Sequence, residues 1–205
     1  MTLPKRIDAA AIRAAVRTEA LGFALEWTAN EAAKLSEIAR CEEVVGSLPA
    51  DFRAFLRYSN GATMSVEFEF APGQRGLFLL NVLSTMGIVN QTSENRQVWD
   101  DSVTARSTRF DGPPTWGPLI VFADWQDGNL CVFDPDQRRD EIVPVIEVSP
   151  DIHPREWREM RIASSFDEWI TRIFDAMENG QHPVYWLPSP LALPASPRPL
   201  DQDAP

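Results

Sequence analysis

The sequence has little of the residues that usually carry metal sites or cross-links. Its 205 residues include two histidines and two cysteines, and neither His153 nor His182 has a second His or a Cys nearby at metal-ligand spacing. Cys41 lies in a helical pattern and Cys131 in an apolar run, so both are expected to be small core residues rather than disulfide partners. No metal site, histidine-dependent mechanism or cofactor is therefore expected.

Long hydrophobic runs are also missing. No apolar stretch approaches the ~20 residues of a membrane-spanning helix, and residues 1–17 contain no apolar block followed by a small-residue cleavage site. Basic residues are outnumbered, with 19 Lys and Arg against 30 Asp and Glu, which gives a formal charge of -11. Such a charge repels a phosphate backbone and an anionic membrane surface. We expect a cytoplasmic protein with no direct nucleic-acid binding and no membrane insertion.

Motifs of catalysis are absent as well. The sequence contains neither G-x-S-x-G nor a glycine-rich phosphate loop. Carboxylates are abundant, yet nothing in the pattern places two of them on one cleft face. One acidic cluster lacks the residue order of a calcium loop and is read as a solvated, turn-forming rim: Asp124, Asp127, Asn129, Asp134 and Asp136. The chain is expected not to be an enzyme, and a small carboxylate-dependent hydrolase is the remote alternative.

Helical spacing is present at the start of the chain. An alanine-rich helix weakened by Gly22 is predicted over residues 7–26. A second helix is predicted to begin near Asn30, with Thr28 as its cap, and to stop at Gly46. The segment ADFRAFLRYSNG, residues 50–61, predicts a short amphipathic helix that ends before a turn at its Asn-Gly pair.

Period-two patterns follow. Val66, Phe68 and Phe70 alternate with glutamates, and residues 77–82 are predicted to form the neighbouring strand across a Pro-Gly turn. Residues 84–115 are polar and poorly periodic, so they are interpreted as a long irregular connection with a helix near 94–99. Residues 119–123 and 129–133 flank Asp127-Gly128, which is typical of a tight hairpin, and 142–148 predict a further strand.

The clearest helix comes near the end. Ser165 and Glu168 have capping-box spacing, and one apolar face follows: Phe166, Trp169, Ile170, Ile173, Phe174 and Met177. Beyond Gly180 the prolines predict an extended or disordered tail, although the apolar residues 184–187 could dock on the domain. We therefore expect an α+β fold, a largely antiparallel sheet packed by N-terminal helices and a C-terminal amphipathic helix. Its parts are an N-terminal helical arm at 1–27, a domain at 28–179 and the tail at 180–205.

The segment LPADFRAFLRYSNGA, residues 48–62, closely resembles the signature of the SUKH superfamily, specifically its Smi/Knr-like branch. The blocks PLIVFADWQDGNLCVFD and SFDEWITRIF agree in order, so the resemblance covers roughly residues 28–178. Family motif residues, read as mainly structural, are Leu48, Pro49, Phe52, Phe55, Leu56, Asn60, Gly61, Gly128 and Trp169. Trp125-Gln126 departs from the smaller, glycine-rich residues of many relatives.

The resemblance implies an α+β protein that binds other proteins. Its bacterial members are mostly immunity proteins that neutralise secreted polymorphic or contact-dependent toxins inside the cell, and fungal relatives are interaction hubs in cell-wall signalling. We therefore expect a non-catalytic immunity protein whose partner is a cognate basic toxin domain. The alternative is a regulatory adaptor or scaffold that uses its proline tail to dock a second protein.

Partner contacts are predicted at the acidic rim and at tryptophans near strand ends. Negative potential speeds the docking of a basic protein, and exposed tryptophans often anchor interfaces. The predicted contacts are Trp99, Trp116, Asp124, Trp125, Asp127, Asp134 and Asp136. Two bland explanations stay open, since acidity also serves solubility and tryptophans also cover the edges of a core.

Overall fold

The computed structural model describes residues 2–20, 22–71, 73–106, 116–125, 128–149 and 160–179. In these ranges the chain forms helices and one seven-stranded sheet. The helices are α1 (Leu3–Ala20), α2 (Leu35–Val45), α3 (Ala50–Leu56), α4 (Thr85–Arg106) and α5 (Phe166–Glu178). The strands are β1 (Leu25–Ala29), β2 (Ala62–Ala71), β3 (Gln74–Val82), β4 (Ile120–Trp125), β5 (Leu130–Phe133), β6 (Val145–Val148) and β7 (Arg161–Ala163).

The sheet is a meander in which each strand pairs antiparallel with the next one along the chain, in the order β1-β2-β3-β4-β5-β6-β7. Short hairpins can join antiparallel neighbours, and β2–β3 and β4–β5 lie where the alternating patterns place them. Gly128 supplies the positive φ (92°) of the β4–β5 connection, and its N–H donates to the Trp125 carbonyl at 3.0 Å. The predicted α+β fold with an antiparallel sheet is confirmed.

One face of the sheet, which we call the inner face, carries the main core. Alternate residues such as Met64 and Leu80 point into it, and helices α1, α2, α3 and α5 cover it with their apolar sides. Phe52 of α3 lies at the centre. Its ring is 4.8–6.0 Å, centroid to centroid, from the rings of Phe55, Phe122, Phe133 and Phe166. Aromatic pairs at this spacing add to the stabilisation from apolar burial.

Helix α5 begins as its sequence predicts. The Ser165 hydroxyl accepts from the Glu168 backbone N–H at 3.1 Å, and the Glu168 carboxylate accepts from the Ser164 N–H at 2.6 Å. Asp51 of α3 adds a cap from outside the helix, because its carboxylate accepts from the Asp167 N–H at 2.9 Å. Burial raises the pKa of Asp51. Capping thus ties the start of α5 to α3.

The N-terminal region differs from its prediction. Helix α1 ends at Ala20, Gly22 follows with a φ of 80°, and the chain returns as β1. Thr28 caps no helix; it lies in β1 opposite Thr63 of β2, and α2 starts only after Lys34. Backbone pairing with the edge of β2 outweighs the weak helical spacing there. The proposed domain boundary after residue 27 stays a prediction.

The stretch 84–115 also differs, because the helix predicted near 94–99 is part of α4, a helix of 22 residues that replaces most of the expected irregular connection. The sequence of α4 has no clear apolar period, and contacts with distant parts of the chain stabilise the helix instead. Arg96 donates to the carbonyls of Val44 and Val45 at the end of α2, and Thr92 accepts from the Val121 N–H of β4 at 3.1 Å. Strand β7 was not predicted from the pattern. Residues 107–115 and the proline tail lie outside the described residues.

Candidate functional site

The family motif builds a corner of the fold. Leu48, Phe52, Phe55 and Leu56 are fully buried, as is Trp169 of α5, which packs on Phe122 at 5.0 Å. Such burial gives these side chains a packing role and leaves no surface for a partner.

Asn60 and Gly61 join three parts of the chain at this corner. The Asn60 side-chain oxygen accepts from the Thr85 N–H at 2.8 Å and so caps α4, while its backbone N–H donates to Glu31 at 2.8 Å. Gly61 has a φ of 87°, and a Cβ there would lie 2.8 Å from the backbone of Ser84 and Val82. The fold alone therefore accounts for both residues.

The opposite side of the sheet, which we call the outer face, is open over β1, β2 and β3. Side chains alternate along a strand, so buried Met64 and Val66 alternate with Thr63, Ser65 and Glu67, which are exposed or half-buried. The same holds for the outward residues of the neighbouring strands: Glu26, Thr28, Leu77, Leu79 and Asn81. Over β4, β5 and β6 this face instead carries a small apolar cluster around Val121, Val132 and Ile146.

A polar row crosses the outer face from β2 to β4. Asn81 donates to the Asp124 carboxylate at 2.9 Å, and the Thr63 hydroxyl is 3.5 Å from the Asn81 side-chain oxygen. The row follows from register, because Thr63 lies opposite Asn81 and Asn81 opposite Asp124. Asn81 and Asp124 are thus held against each other on an accessible surface, with Thr63 beside them.

Carboxylates outnumber cations on this face. Over β1 to β4, the described side chains that face outward include the carboxylates of Glu26, Glu67 and Asp124 and one guanidinium, that of Arg75, which lies 3.7 Å from the Glu67 carboxylate. The exposed side chain of Leu77 and the half-buried Leu79 add apolar surface next to the polar row. A mixed surface of this kind, with carboxylates around apolar side chains, suits contact with a basic protein.

The predicted acidic rim does not form one surface. Asp124 lies beside the β4–β5 hairpin, whereas Asp134 and Asp136 follow β5 at its far end, about 13 Å along a four-residue strand. Asp134 is fully buried, and it accepts from the Asp136 N–H at 3.2 Å and the Gln137 side chain at 2.8 Å. It caps the 3-10 turn Pro135–Gln137. Asp136 is exposed.

The tryptophans near β4 are not exposed. Trp116 and Trp125 retain 3% and 2% of their accessible surface, so the expectation that they are surface anchors is wrong for both. The Trp116 indole donates to the Leu119 carbonyl at 3.1 Å, and Trp125 packs 5.0 Å from Phe78 and 6.0 Å from Trp169. Trp125 points inward because it lies opposite the inward Leu80.

Several predicted contacts cannot be placed. The side chain of Trp99 and the whole of Asp127 lie outside the described residues. Of the predicted set, Asp124 and Asp136 keep accessible carboxylates, and their role in partner binding stays a prediction. The outward residues of β2 and β3 were missed as a site, although the period-two pattern that predicted the strands already marks them as the solvent side.

The described ranges contain no group of three or more His, Cys, Asp or Glu that could hold a metal ion. Within the same ranges no helix has the length and apolar character required to span a bilayer. Cys41 and Cys131 are both buried, and both are reduced thiols. Burial raises the pKa of the Cys41 thiol to about 11 and Glu42 adds to the effect. At neutral pH that thiol is therefore protonated and a poor nucleophile.

Comparison with known proteins assigns the chain to a family. The family model SMI1 / KNR4 (SUKH-1) matches residues 32–172, which span α2 to most of α5 and include the corner motif and the outer-face row. No curated protein matches the chain. The match covers more than half of the sequence and agrees with the antiparallel α+β fold. The chain therefore belongs to the SMI1 / KNR4 family (SUKH-1).

Proposed function

We propose that this protein is a non-catalytic immunity protein of the cytoplasm, which neutralises a secreted polymorphic or contact-dependent toxin by binding it directly. The open outer face carries the proposal. It is a large accessible part of a sheet whose other side is buried under helices, and it presents fixed polar groups and exposed leucine next to carboxylates. Membership of the SMI1 / KNR4 family and the formal charge of -11 support the same function.

The physical mechanism requires no turnover. Negative potential on the outer face steers a basic toxin domain toward it and disfavours acidic partners. The hydrogen-bonded pair of Asn81 and Asp124 then offers polar groups that need little further ordering, which lowers the entropic cost of binding. Leu77 and Leu79 provide the apolar contact. A toxin held in this way is blocked when its active region faces the sheet.

The first experiment asks for the partner. The tagged protein is isolated from its native cell, and a bound toxin domain is then coexpressed with it in a sensitive host. We expect restored growth and a stoichiometric complex. Loss of rescue with well-folded protein would contradict the immunity function.

The second experiment tests whether the outer face is the surface that binds the toxin. Asp124→Lys on the outer face is compared with Glu43→Lys, which makes the same charge change at an exposed position of α2. We expect Asp124→Lys to slow association on the order of tenfold at low salt, with a smaller effect at high salt, because steering is screened. Glu43→Lys should change it less than about twofold. Equal effects of the two variants would move the contact away from the outer face.

The adaptor function rests on a different segment, the prolines between residues 183 and 199. Deleting residues 181–205 separates the two functions. Toxin binding through the outer face should survive the deletion, whereas an adaptor that docks partners through its tail should lose them. Binding of a non-toxin protein that disappears with the tail would favour the adaptor.

A further inference from the structure

A groove lies between α1 and β1, away from the outer face. Its volume is about 450 Å³, and it is lined by Asp8, Ala11, Ile12, Ala15, Leu25 and Trp27. Trp27 forms part of its floor and packs edge-on against Phe174 of α5 at 5.3 Å. Helix α1 exposes two large apolar side chains one turn apart, Ile12 of the groove lining at 66% and Val16 at 62%. Apolar side chains this exposed on one helix are typical of a surface that another segment covers.

The strand beside the groove has a free edge. Among the described strands, β1 is the first of the sheet and has β2 as its one neighbour. Glu67 donates to the Ala24 carbonyl at 2.9 Å and Asn30 donates to the Gly61 carbonyl at 3.2 Å, so the even-numbered residues of this stretch bond to β2. The backbone N–H and C=O groups of the odd-numbered Leu25, Trp27 and Ala29 therefore point away from β2, on the side of α1. They can accept an extended segment.

The end of α5 is held beside α1. Arg6 of α1 pairs with Asp167 at the start of α5, and Arg13 pairs with Glu178 at its end, at 2.8 Å. The two helices thus run in the same direction, and the end of α5 lies beside Arg13 in the middle of α1. Asn179, the last described residue, therefore leaves α5 beside the turn of α1 that contains Arg13, the neighbour of Ile12.

The segment that follows has the length and composition to reach the groove. Five Cα steps from Asn179 to Val184 span up to about 17 Å, against a helix diameter of about 10–12 Å. Residues 184–187 read Val-Tyr-Trp-Leu, and prolines at 183 and 188 disfavour a helix on either side. An apolar sequence whose flanking prolines favour an extended backbone suits an apolar groove with a free strand edge.

We propose that residues 184–187 of the same chain pack across Ile12 and Val16 and along the free edge of β1. The segment covers the exposed apolar side chains of α1 and pairs with backbone groups that β2 leaves free. This role differs from a docking tail for a second protein, because the tail closes its own domain. The inference does not rest on toxin binding and can fail or hold independently of it.

Hydrogen exchange in the full-length chain tests the docking. Trp186→Ala/Leu187→Ala removes the largest anchors, and Leu191→Ala/Leu193→Ala is the matched control further along the same tail. We expect the amides of Leu25, Trp27 and Ala29 to exchange on the order of tenfold faster in the first variant than in the wild type. The control variant should exchange like the wild type. Equal rates in the wild type and the Trp186→Ala/Leu187→Ala variant would overturn the proposal.

Disulfide trapping identifies the occupant. One double variant combines Ile12→Cys with Trp186→Cys. The control double variant combines Thr63→Cys on the outer face with the same Trp186→Cys. We expect the first pair to form a disulfide within one chain and the second pair to stay reduced. The native Cys41 and Cys131 are buried and should not react with the introduced cysteines. A disulfide-linked dimer from the first pair would assign the groove to the tail of a second copy. Equal oxidation of both pairs would show no specific docking, and either result would overturn the proposal.

Discussion

The two faces of the sheet are built from the same strands, yet one forms the core and the other is an accessible surface. On β2, Met64 is fully buried on the inner face, whereas its neighbour Thr63 is exposed on the outer face. The inner face is an aromatic and aliphatic core under helices, and the outer face over β1, β2 and β3 is a polar surface with carboxylates and exposed leucine. Folding constrains the first face by packing. The second is constrained far less, which leaves its residues available for binding.

Substitutions on the two faces are expected to change the free energy of unfolding by different amounts. Removing a buried aromatic side chain leaves a cavity and costs several kcal/mol. Hydrogen bonds between accessible side chains contribute about 1 kcal/mol or less, because water competes for the same groups. A difference of this size makes the comparison testable by matched substitutions on the two faces.

The largest effect is expected at the centre of the inner face. Phe52→Ala removes a ring that contacts Phe55, Phe122, Phe133 and Phe166, so the free energy of unfolding should fall by about 3–5 kcal/mol. Leu77→Ala on the outer face is the control, and its change should stay within about 0.5 kcal/mol. Denaturant unfolding followed by circular dichroism measures both. Similar losses for the two variants would abolish the distinction between the faces.

An intermediate effect is expected at the motif corner. Gly61→Ala places a methyl group 2.8 Å from backbone atoms of Ser84 and Val82 at a φ of 87°, so strain and overpacking together should cost about 2–4 kcal/mol. Gly128 has a similar φ of 92°, and apart from its chain neighbours no described residue has an atom within 4 Å of the added methyl group. Gly128→Ala should therefore cost only the backbone strain, about 1–2 kcal/mol. Thermal unfolding of both variants checks the difference, and equal costs would contradict the close approach at Gly61.

The smallest effect on stability is expected in the polar row. Asn81→Ala removes the hydrogen bond to Asp124 and should lower the free energy of unfolding by less than about 1 kcal/mol. If the outer face is the binding surface, the same variant should weaken the toxin complex by about 1 kcal/mol or more, a fivefold rise in Kd or greater. Calorimetry of folding and of binding separates the two effects. A loss of stability without a loss of affinity would assign the row to the fold.

Local patterns predicted the parts of the fold whose residues carry one dominant signal. The α5 cap at Ser165 and Glu168 and the β2–β3 alternation were read correctly because burial there has a clear period. β1 and the full length of α4 were missed because their own spacing is weak and their partners lie far away in sequence: Thr28 pairs with Thr63, and Thr92 with Val121. The residues of the candidate site were harder to predict than the fold. Asp124 and Asp134 are close in sequence, yet β5 carries them to opposite ends of the sheet, and the pairing of Trp125 with Leu80 turns its indole inward.

The sequence by itself determined the α+β class, the antiparallel hairpins, the family and the net negative charge, because each depends on composition or on patterns within about fifteen residues. The tertiary structure alone decided which side chains share a surface. Register places Thr63, Asn81 and Asp124 in one row. Packing buries Asp134, Trp116 and Trp125 and leaves a groove between α1 and β1. The physical reason is that strand pairing and helix packing join residues dozens of positions apart, and no local pattern records which of them meet.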